Sequence, residues 1–405
     1  MGELFDPFNL GDDPFPEFAR RREAGETALG RPPYPEAGPA LYLFSHAAVS
    51  KALKHPLLLQ APPGAYQQAR QKIATHSAFD LMTKSVMLSD APQHLKLRRP
   101  MASQMTPASA GRIFEGLRTT ATELAQAAAQ GTGFDAVTDL AVPLSFWTLS
   151  KVLGVPIDDP WSIKNETFRM TSALDMRRGS IDPMANDACR KLEAWASKAI
   201  SDGTVAPHGL VAQMLAEVDA GRWRHEDVIA NIVFFLFAGQ ETVVDAFGNA
   251  LIALERFTDQ RKLVAKRCVD WVSASEELLR YCAPVHYAGA RIAARDFDFD
   301  GITIRAGQAV VPVLASANRD KAVFPAGDRL DLKSGMSSTL VFGTGLHICL
   351  GQHVARLELA ALLEALFSRA EGWRLDLSRV VRRDATLLYG LREAPLVPPA
   401  GHQAA

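Results

Sequence analysis

The sequence lacks a strong charge of either sign and any long apolar run. Its 405 residues carry a formal net charge of −1, which argues against the strongly basic surface of proteins that bind nucleic acid or anionic membranes. The longest apolar stretch, around 228–239, is interrupted by Asn231 and followed by Gln240 and Glu241. It therefore predicts a buried core helix and not a membrane span, which needs about 18 or more apolar residues.

The N-terminal segment lacks the features of a targeting signal. MGELFDPFNLGDDPFPEF is acidic and rich in proline, without the basic region and apolar core of a secretory signal. Asp6 stands where N-myristoylation requires serine or threonine. These absences predict a soluble cytoplasmic protein.

Cysteine is scarce and scattered. The four cysteines, Cys189, Cys268, Cys282 and Cys349, form no CxxC pair. A disulfide framework is therefore not expected, and a structural zinc site has no paired ligands. The first three are interpreted as small hydrophobic core residues. Cys349 differs because several glycines surround it.

Helical periodicity dominates the rest of the chain. The long helical patterns cover Ala108–Ala129, Asp187–Ile200, Glu226–Leu254, Ser273–Tyr281 and Gly351–Arg369. Strand patterns are fewer and cover Ala40–Phe44, a hairpin Phe297–Ile304 that turns at Asp300-Gly301, and Ala309–Leu314. The sequence predicts a mainly α protein with a small β region. Because no linker is recognisable, a single domain over 1–405 is expected, with 1–34 as an N-terminal extension and 396–405 as a tail.

The glycine-rich segment around Cys349 is the most informative in the chain. It reads Val341-Phe-Gly-Thr-Gly-Leu-His-Ile-Cys-Leu-Gly351 and precedes a long helical pattern. Glycines permit tight turns and the close approach of a flat ligand to the backbone. A cysteine just before a helix is stabilised as a thiolate by backbone N–H groups and the helix dipole. These features alone leave three interpretations open: a turn with an incidental cysteine, a cysteine nucleophile, and a thiolate ligand of a metal.

The run FGTGLHICLG resembles the haem-binding loop of the cytochromes P-450, whose pattern is FGxGxHxCxG. The matching positions are Phe342, Gly343, Gly345, His347, Cys349 and Gly351. The resemblance implies that Cys349 is the axial ligand of the iron of haem b, that Phe342 packs on the ligand side, and that His347 hydrogen-bonds a propionate. A thiolate ligand pushes electron density towards iron and favours O–O cleavage. It also implies the family's fold, a triangular helical prism around a buried haem.

A second segment, Ala238-Gly-Gln-Glu-Thr242, lies inside the predicted helix Glu226–Leu254. Glycine within a helix costs about 1 kcal/mol relative to alanine, and a polar face turned to solvent is one explanation of Glu241 and Thr242. The segment resembles the family's (A/G)Gx(D/E)T element. That resemblance implies that Ala238 and Gly239 open a groove over the haem. It also implies that Thr242 hydrogen-bonds dioxygen or a water, which Glu241 connects to a proton supply.

Glu277-Leu-Leu-Arg280 resembles the family's ExxR element. Residues three apart share a helix face, and on most helices such an ion pair is solvated and contributes little. The resemblance implies a buried pair that a second arginine joins, for which Arg329 is the candidate. The match is looser there, because Gly327 and Leu330 depart from the family's commonest residues.

The haem propionates need cationic or hydrogen-bonding partners when they are buried. Asp90-Ala-Pro-Gln-His-Leu-Lys-Leu-Arg98 resembles the family's helix with an HxxxR pair. It implies that His94 and Arg98 bind the propionates from one helix face, with Asp90 as the N-cap. Arg291, before the predicted hairpin, is the third expected propionate partner.

The matching elements follow the family's order over nearly the whole chain. They imply a monooxygenase that activates dioxygen with two external electrons and inserts one oxygen atom into a small molecule, by hydroxylation or epoxidation. The sequence contains no FMN, NAD or iron–sulfur segment, so a ferredoxin or flavodoxin and its NAD(P)H-linked reductase are the expected partners of a monomeric enzyme. Lys96 and Arg99 are candidates for a basic surface that binds an acidic donor, and ordinary solvated charges explain them equally well.

The resemblance also locates a substrate pocket. The residues it places there are Leu81, Met82, Val86, Met170, Met176, Phe234, Val285, His286, Tyr287 and Leu388. Most are apolar, which predicts an apolar or amphipathic substrate. His286 and Tyr287 are either polar anchors or point away from the haem. Two alternatives stay open: a haem protein that carries or senses a ligand without turnover, and a haem-free cysteine hydrolase that uses Cys349.

Overall fold

The computed structural model describes residues 4–25, 27–32, 38–60, 77–174, 183–266, 268–334, 338–383 and 388–399. Helices dominate these ranges, as the sequence predicts. The α-helices are α1 Phe15–Glu23, α2 His46–Lys54, α3 Ser77–Lys84, α4 Gln93–Gln104, α5 Pro107–Ala128, α6 Val142–Leu153, α7 Pro160–Leu174, α8 Pro183–Ser201, α9 Leu210–Asp219, α10 His225–Ala238, α11 Glu241–Arg256, α12 Thr258–Ala265, α13 Trp271–Cys282, α14 Leu314–Ala317 and α15 Gln352–Arg369. A π-helix over Ala136–Ala141 precedes α6.

The long helical predictions are confirmed, with one interruption. The segment predicted as one helix over Glu226–Leu254 forms α10 and α11, which are separated at Gly239 and Gln240. A Cβ atom on Gly239 would lie 2.6 Å from Cδ2 of Leu149 and 2.7 Å from the carbonyl oxygen of Phe235. The break therefore requires glycine, because neighbouring atoms fill the space that a side chain needs.

The β region consists of short strands in small sheets. The strands are β1 Ala28–Gly30, β2 Ala40–Leu43, β3 Leu58–Leu59, β4 Phe134–Asp135, β5 Arg291–Ala293, β6 Phe297–Phe299, β7 Ile302–Ile304, β8 Ala309–Pro312, β9 Arg374–Leu375, β10 Val381–Arg382, β11 Leu391–Glu393 and β12 Pro395–Val397. A five-stranded sheet has the order β1-β2-β8-β5-β3, in which β2 and β8 are parallel. The predicted hairpin is confirmed: β6 pairs with β7, and Asp300 and Gly301 both have positive φ, as a two-residue type I′ turn requires.

The core is built around α10 and α11, and α15 packs along α5 and α13. Together α10 and α11 form the one segment in the described ranges that is long and apolar enough to cross a membrane. Two thirds (67%) of its most apolar window is buried inside the protein. Burial of this kind is what the sequence predicted for a core helix, and it explains the apolar composition without a membrane.

The described N-terminal residues are part of the main body. Helix α1 packs against α14, and β1 pairs with β2 at the edge of the five-stranded sheet. Phe5 and Phe18 are fully buried in an aromatic cluster with Tyr42, Phe44 and Tyr287. The predicted extension over 1–34 therefore contributes core residues, and the domain boundaries themselves stay a prediction.

The Glu277–Arg280 pair is buried, as the resemblance implied. The side chains are 3% and 2% exposed, and two hydrogen bonds of 2.7 and 2.8 Å join them. The guanidinium also donates to the carbonyl oxygens of Asn318, Gly327 and Arg329. Buried charges need this degree of pairing, because an unpaired ion in the interior costs several kcal/mol.

The expected role of the Arg329 side chain is wrong. Its guanidinium is 67% exposed and pairs with Asp259 at 3.3 Å, so only its backbone carbonyl reaches Arg280. The remaining contact of Glu277 comes from the N–H of Asp331 at 2.9 Å. Backbone groups thus complete the cluster, and they satisfy the buried charges without taking a second guanidinium out of water.

Candidate haem and oxygen-activation site

Two left-handed glycines shape the loop that carries Cys349. Gly343 and Gly345 have φ values of +67° and +75°, and a Cβ on Gly345 would lie 2.7 Å from the carbonyl oxygen of Leu53. A short 3₁₀ turn over Gly345–His347 follows, and the N–H of Cys349 donates to the carbonyl oxygen of Phe342 at 2.9 Å. The cysteine therefore lies just before the N-terminus of α15, as predicted.

Opposing effects act on the Cys349 thiol. Burial raises its pKa, whereas the backbone N–H groups of Gly351 and Gln352 and the guanidinium groups of Arg98 and Arg356 lower it. The guanidinium of Arg356 also lies 4.3 Å above the ring of Phe342. Because burial is the largest effect, full ionisation needs a further cationic partner, and a coordinated metal ion deprotonates a thiol outright.

Cys349 lines a cavity of about 340 Å³. The other predicted cofactor-binding residues line it as well: His94, Arg98, Ala238, Gly239, Arg291, Phe342, Gly343, His347 and Gly351. Ala238 and Gly239 lie at the break between α10 and α11. The cysteine loop supplies Phe342, Gly343, His347 and Gly351. The structure thus brings the two motifs, more than a hundred residues apart in sequence, to one cavity.

Four basic side chains meet in one part of this cavity. The rings of His94 and His347 lie 4.2 Å apart, and the guanidinium groups of Arg98 and Arg291 act on both. Burial, followed by these neighbouring charges, lowers the pKa of His94 to about 4 and that of His347 to about 2. Both ring nitrogens of His94 and Nε2 of His347 are buried without a hydrogen-bond partner. This arrangement fits a ligand that carries negative charge and accepts hydrogen bonds.

The start of α4 differs from the prediction in one detail. The helix begins at Gln93 with Pro92 as its N-cap, so the expectation that Asp90 caps it is wrong. The Asp90 carboxylate instead accepts the backbone N–H of Gln60 at 2.9 Å, while its carbonyl oxygen accepts the N–H of His94. His94 and Arg98 still share one face of α4, because residues four apart on a helix do so.

The structure separates the two polar residues at the start of α11. Thr242 lines the cavity, and its hydroxyl donates to the carbonyl oxygen of Ala238 at 3.2 Å. Glu241 is 1% exposed and turns away, and its Oε2 accepts from Arg383 at 2.7 Å. In this arrangement, Thr242 is the polar group of the pair that faces the cavity.

Comparison with known proteins agrees with this geometry. The family model described as Cytochrome P450 matches residues 273–372. The Vitamin D(3) 25-hydroxylase of Pseudonocardia autotrophica is 33% identical over 323 residues, which is 78% of each chain. The chain belongs to the cytochrome P450 family. The Steroid C26-monooxygenase of Mycolicibacterium smegmatis is 30% identical over 72% of this chain and 68% of its own. The crystal structure of CalO2 shares the P450 fold, with a TM-score of 0.89 and 24% identity over 98% of this chain and 100% of that one.

The protein is accordingly a P450 haem-thiolate monooxygenase that uses dioxygen, a small-molecule substrate and external redox partners. Its residues fit haem: Cys349 would ligate the iron, and the unpartnered nitrogens of His94 and His347, with Arg98 and Arg291, would hold the propionates. When bound, haem supplies the iron at which dioxygen is activated with two electrons. The family's use of this cysteine as a haem ligand argues against the haem-free hydrolase.

The predicted substrate-pocket residues divide into two groups. Val86, Phe234 and Val285 line the cavity. Leu81, Met82 and Met170 are buried in the hydrophobic core, and Leu388 pairs through its backbone with Val285; none of these belongs to the described lining. Met176 lies outside the described residues. Three of the predicted residues therefore line the cavity, and their role in binding substrate stays a prediction.

His286 and Tyr287 point away from the cavity. His286 is fully buried, its ring stacks on that of Tyr389 at 4.4 Å, and burial lowers its pKa to about 3. Tyr287 packs against Phe18 and Tyr42. Val285 thus reaches the cavity, whereas the next two residues both pack against Phe18. Of the two alternatives for His286 and Tyr287, the structure therefore agrees with the second, in which they point away from the cavity, and not with polar anchors.

Sequence reasoning missed the one acidic residue in the described lining of the cavity and two charged residues that lie behind it. Glu358 of α15 lines the cavity, accepts from the hydroxyl of Ser145 at 2.5 Å, and has a pKa that burial raises to about 7. Arg383 and Asp245 lie next to Glu241. Glu358 and Asp245 were detectable as acidic residues among apolar helix neighbours, whereas nothing near Arg383 in the sequence indicates a contact 142 residues away.

Proposed function

We propose that this P450 inserts oxygen into an apolar or amphipathic small molecule with a largely hydrocarbon body. The observation that supports this substrate class is the mainly apolar lining of the cavity that contains Thr242. Val86, Phe234, Phe235 and Val285 contribute apolar surface there, and Thr242 contributes one hydroxyl. Apolar walls bind by burial of hydrocarbon surface, worth about 25 cal/mol per Å², and a single polar group gives orientation more than affinity.

The names of two relatives agree with this class. One is a Vitamin D(3) 25-hydroxylase and the other a Steroid C26-monooxygenase. Both names describe substrates with large apolar ring systems, so molecules of this kind are the first to test with this protein. Hydroxylation is the reaction that the first relative's name states, and epoxidation of an alkene would use the same wall.

The wall residue Val86 has a defined support. Its backbone N–H donates to Oδ1 of Asn231 at 3.0 Å, and Nδ2 of Asn231 donates back to the carbonyl oxygen of Asp227 within α10. Asn231 is fully buried, so this pair of hydrogen bonds replaces water at a site where a lost partner would cost about 1–3 kcal/mol. It ties the loop after α3 to the central helix and keeps one side of the cavity in place.

We further propose the roles of the site residues. Cys349 ligates the iron, and His94, Arg98, Arg291 and His347 hold the two propionates. Thr242 holds a proton at Oγ1 and passes it to the reacting oxygen, and Glu241 replaces that proton. Oxygen activation consumes two protons for the water that is released, so an alcohol in the cavity with an acid behind it provides the required transfer.

For the redox partner, we propose a ferredoxin or flavodoxin with its NAD(P)H-linked reductase. Lys96 and Arg99 support this, because both are exposed on α4 while His94 and Leu97 of the same helix are buried. Basic side chains exposed on α4 suit an acidic donor, whose encounter they would accelerate at low salt. The protein is further proposed to be a soluble cytoplasmic monomer that forms a single domain over 1–405.

The experiment that tests the substrate class is a spin-shift titration of the purified haem protein with vitamin D3, a steroid, a fatty acid and a polar control of similar size. Binding and hydroxylation of the first two with surrogate ferredoxin and reductase would support the proposal. Preference for the polar compound would contradict it. A thiolate-type carbon monoxide spectrum without turnover of any ligand that shifts the spin state would favour the carrier or sensor alternative.

A further inference from the structure

Behind Glu241 lies a buried group of charges that the family motifs do not include. Arg383, just after β10, binds Oε2 of Glu241 at 2.7 Å and lies 3.4 Å from Oδ1 of Asp245. All three side chains are at most 6% exposed. Lys164 of α7 acts on Asp245 and Glu241 from a half-buried position. One arginine therefore serves two carboxylates, which we call the carboxylate pair: Glu241 and Asp245.

The backbone is arranged to place Asp245 here. Glu241 and Asp245 are four residues apart on α11, so their side chains share one helix face. A Cβ atom on Gly390 would lie 1.9 Å from Oδ1 of Asp245, so only glycine leaves room for the carboxylate. The carbonyl oxygen of Gly390 accepts the N–H of Arg383 at 3.1 Å. The β10–β11 connection thus brings in the shared arginine and makes space for the second acid.

The carboxylate pair has fewer donors than two buried carboxylates require. Oε1 of Glu241 and both carboxylate oxygens of Asp245 are buried without a hydrogen-bond partner. Two ionised carboxylates on the same helix face repel each other, and burial disfavours both charges. Retention of one proton by the pair relieves both effects, and such a pair titrates as a unit.

The charges that face Asp245 make it the better proton holder. They are Glu241 on its own helix, Arg383 from the segment after β10 and Lys164 from α7. Burial, assisted by Glu241, raises the pKa of Asp245 to about 7, although Arg383 and Lys164 oppose the shift. Arg383 meanwhile holds Glu241 by a direct hydrogen bond. Asp245 is therefore the neutral member of the pair below neutral pH.

We propose that Asp245 and Arg383 are positioning residues for proton delivery, and that Asp245 stores the proton that Glu241 passes on towards Thr242. The inference rests on the proposed role of Glu241 and Thr242. After Thr242 has given its proton to the cavity, the single proton of the carboxylate pair moves from Asp245 to Glu241 and from there to Thr242. Asp245 is then the carboxylate beside Arg383. Asp245 takes a new proton from bulk solvent on the side of Lys164, so charge and protons balance over the cycle.

The decisive variant is Asp245→Asn, which keeps the size of the side chain and cannot ionise. The matched control is Glu255→Gln on the same helix. Glu255 is 4% exposed, its carboxylate lies 2.6 Å from the guanidinium of Arg261, and it is not part of the described cavity lining. Arg383→Lys tests whether a positive charge at this position is enough to hold the carboxylate pair. All variants are used as haem-loaded full-length protein with a surrogate ferredoxin and reductase. The reaction followed is oxygen consumption without added substrate, so that no substrate need be known.

In the wild type, delivery should weaken as pH rises through about 7, because Asp245 loses its proton there. In Asp245→Asn this pH dependence should disappear. Oxygen reduction to water should fall by about tenfold in favour of peroxide, with a larger solvent isotope effect. Glu255→Gln should behave as the wild type, and Arg383→Lys should retain most of the wild-type pH profile. An unchanged pH profile and product ratio in Asp245→Asn would overturn the proposal.

A second measurement is independent of turnover. The pKa of Asp245 is raised in the folded protein, so neutral Asp245 contributes stability that is fully present below its ordinary pKa of 3.8 and is lost as pH rises to about 7. The melting temperature of Asp245→Asn relative to the wild type should therefore increase across this range, while that of Glu255→Gln should show no such trend. A difference that does not vary with pH would contradict the stored proton. If Thr242→Ala and Glu241→Gln also leave oxygen reduction unchanged, the proposed acid–alcohol function fails. If only Asp245→Asn has no effect, this inference fails alone.

Discussion

The imidazole rings of His94 and His347 lie 4.2 Å apart, centroid to centroid, although one comes from α4 and the other from the cysteine loop. Burial and the nearby Arg98 and Arg291 keep the pKa of each ring far below neutral pH, so the protein alone leaves both rings uncharged. A dianionic ligand between the four groups would satisfy the nitrogens that lack partners. This relationship makes the propionate site testable.

The first prediction concerns His94. His94→Ala should weaken haem binding by about 1.5–3 kcal/mol, the usual contribution of a hydrogen bond to a charged group. The measurement is the rate of haem transfer to excess apomyoglobin, which should increase roughly tenfold or more at neutral pH. Leu95→Ala is the control, because Leu95 is the next residue on α4 and its side chain is 53% exposed. Equal transfer rates in both variants would remove His94 from the propionate site.

The second prediction concerns the iron ligand. Cys349→Ser should abolish the thiolate-type carbon monoxide difference spectrum, since a neutral hydroxyl does not replace a thiolate. The interpretation of Cys268 as a core residue is wrong, because it is exposed, whereas Cys189 and Cys282 are buried. Cys268→Ser should leave that spectrum unchanged, because Cys268 also lies outside the cavity lining. If the thiolate spectrum survived in Cys349→Ser, the axial-ligand assignment would be refuted.

The third prediction compares the stability that the buried Glu277–Arg280 pair contributes with that of the Arg329 side chain. Glu277→Gln removes one partner of a buried ion pair and should lower the free energy of unfolding by about 3–5 kcal/mol. Arg329→Gln should cost less than about 1 kcal/mol, because its guanidinium is exposed and only its backbone carbonyl binds Arg280. Urea denaturation of both variants measures the difference. A large loss of stability in Arg329→Gln would mean that its side chain supports the buried cluster after all.

The fourth prediction concerns the shape of the cavity. Val285→Phe adds a ring to the wall. It should weaken the binding of vitamin D3 or a steroid, measured by spin-shift titration, by about 1–3 kcal/mol, because extra volume in a packed site forces neighbours apart. Val272→Phe on α13 is the same substitution at an exposed position, with Val272 40% exposed, and should have no effect on binding. Unchanged binding in Val285→Phe would show that the wall at Val285 does not contact the ligand.

Local patterns predicted the elements that carry the site. The glycines around Cys349, the Ala238–Thr242 segment, the hairpin at Asp300-Gly301 and the spacing of Glu277 and Arg280 all lie where the sequence predicted them. They were predictable because each depends on neighbours within a few residues. The role of Arg329 was not predictable in this way, because its backbone carbonyl and its side chain are equally plausible contacts of the Glu277–Arg280 pair until the chain has folded.

The sequence by itself determined the mainly helical class, the cysteine loop and the Glu277–Arg280 pair, because glycine geometry, helix periodicity and i to i+3 or i+4 spacing are local properties. Only the tertiary structure decided what surrounds these motifs. It placed His286 in an aromatic cluster and Val285 in the cavity, and it brought Arg383 to Glu241 and Asp245 across more than a hundred residues. Burial and pairing of that kind depend on which distant segments pack together, and no short pattern in the chain specifies it.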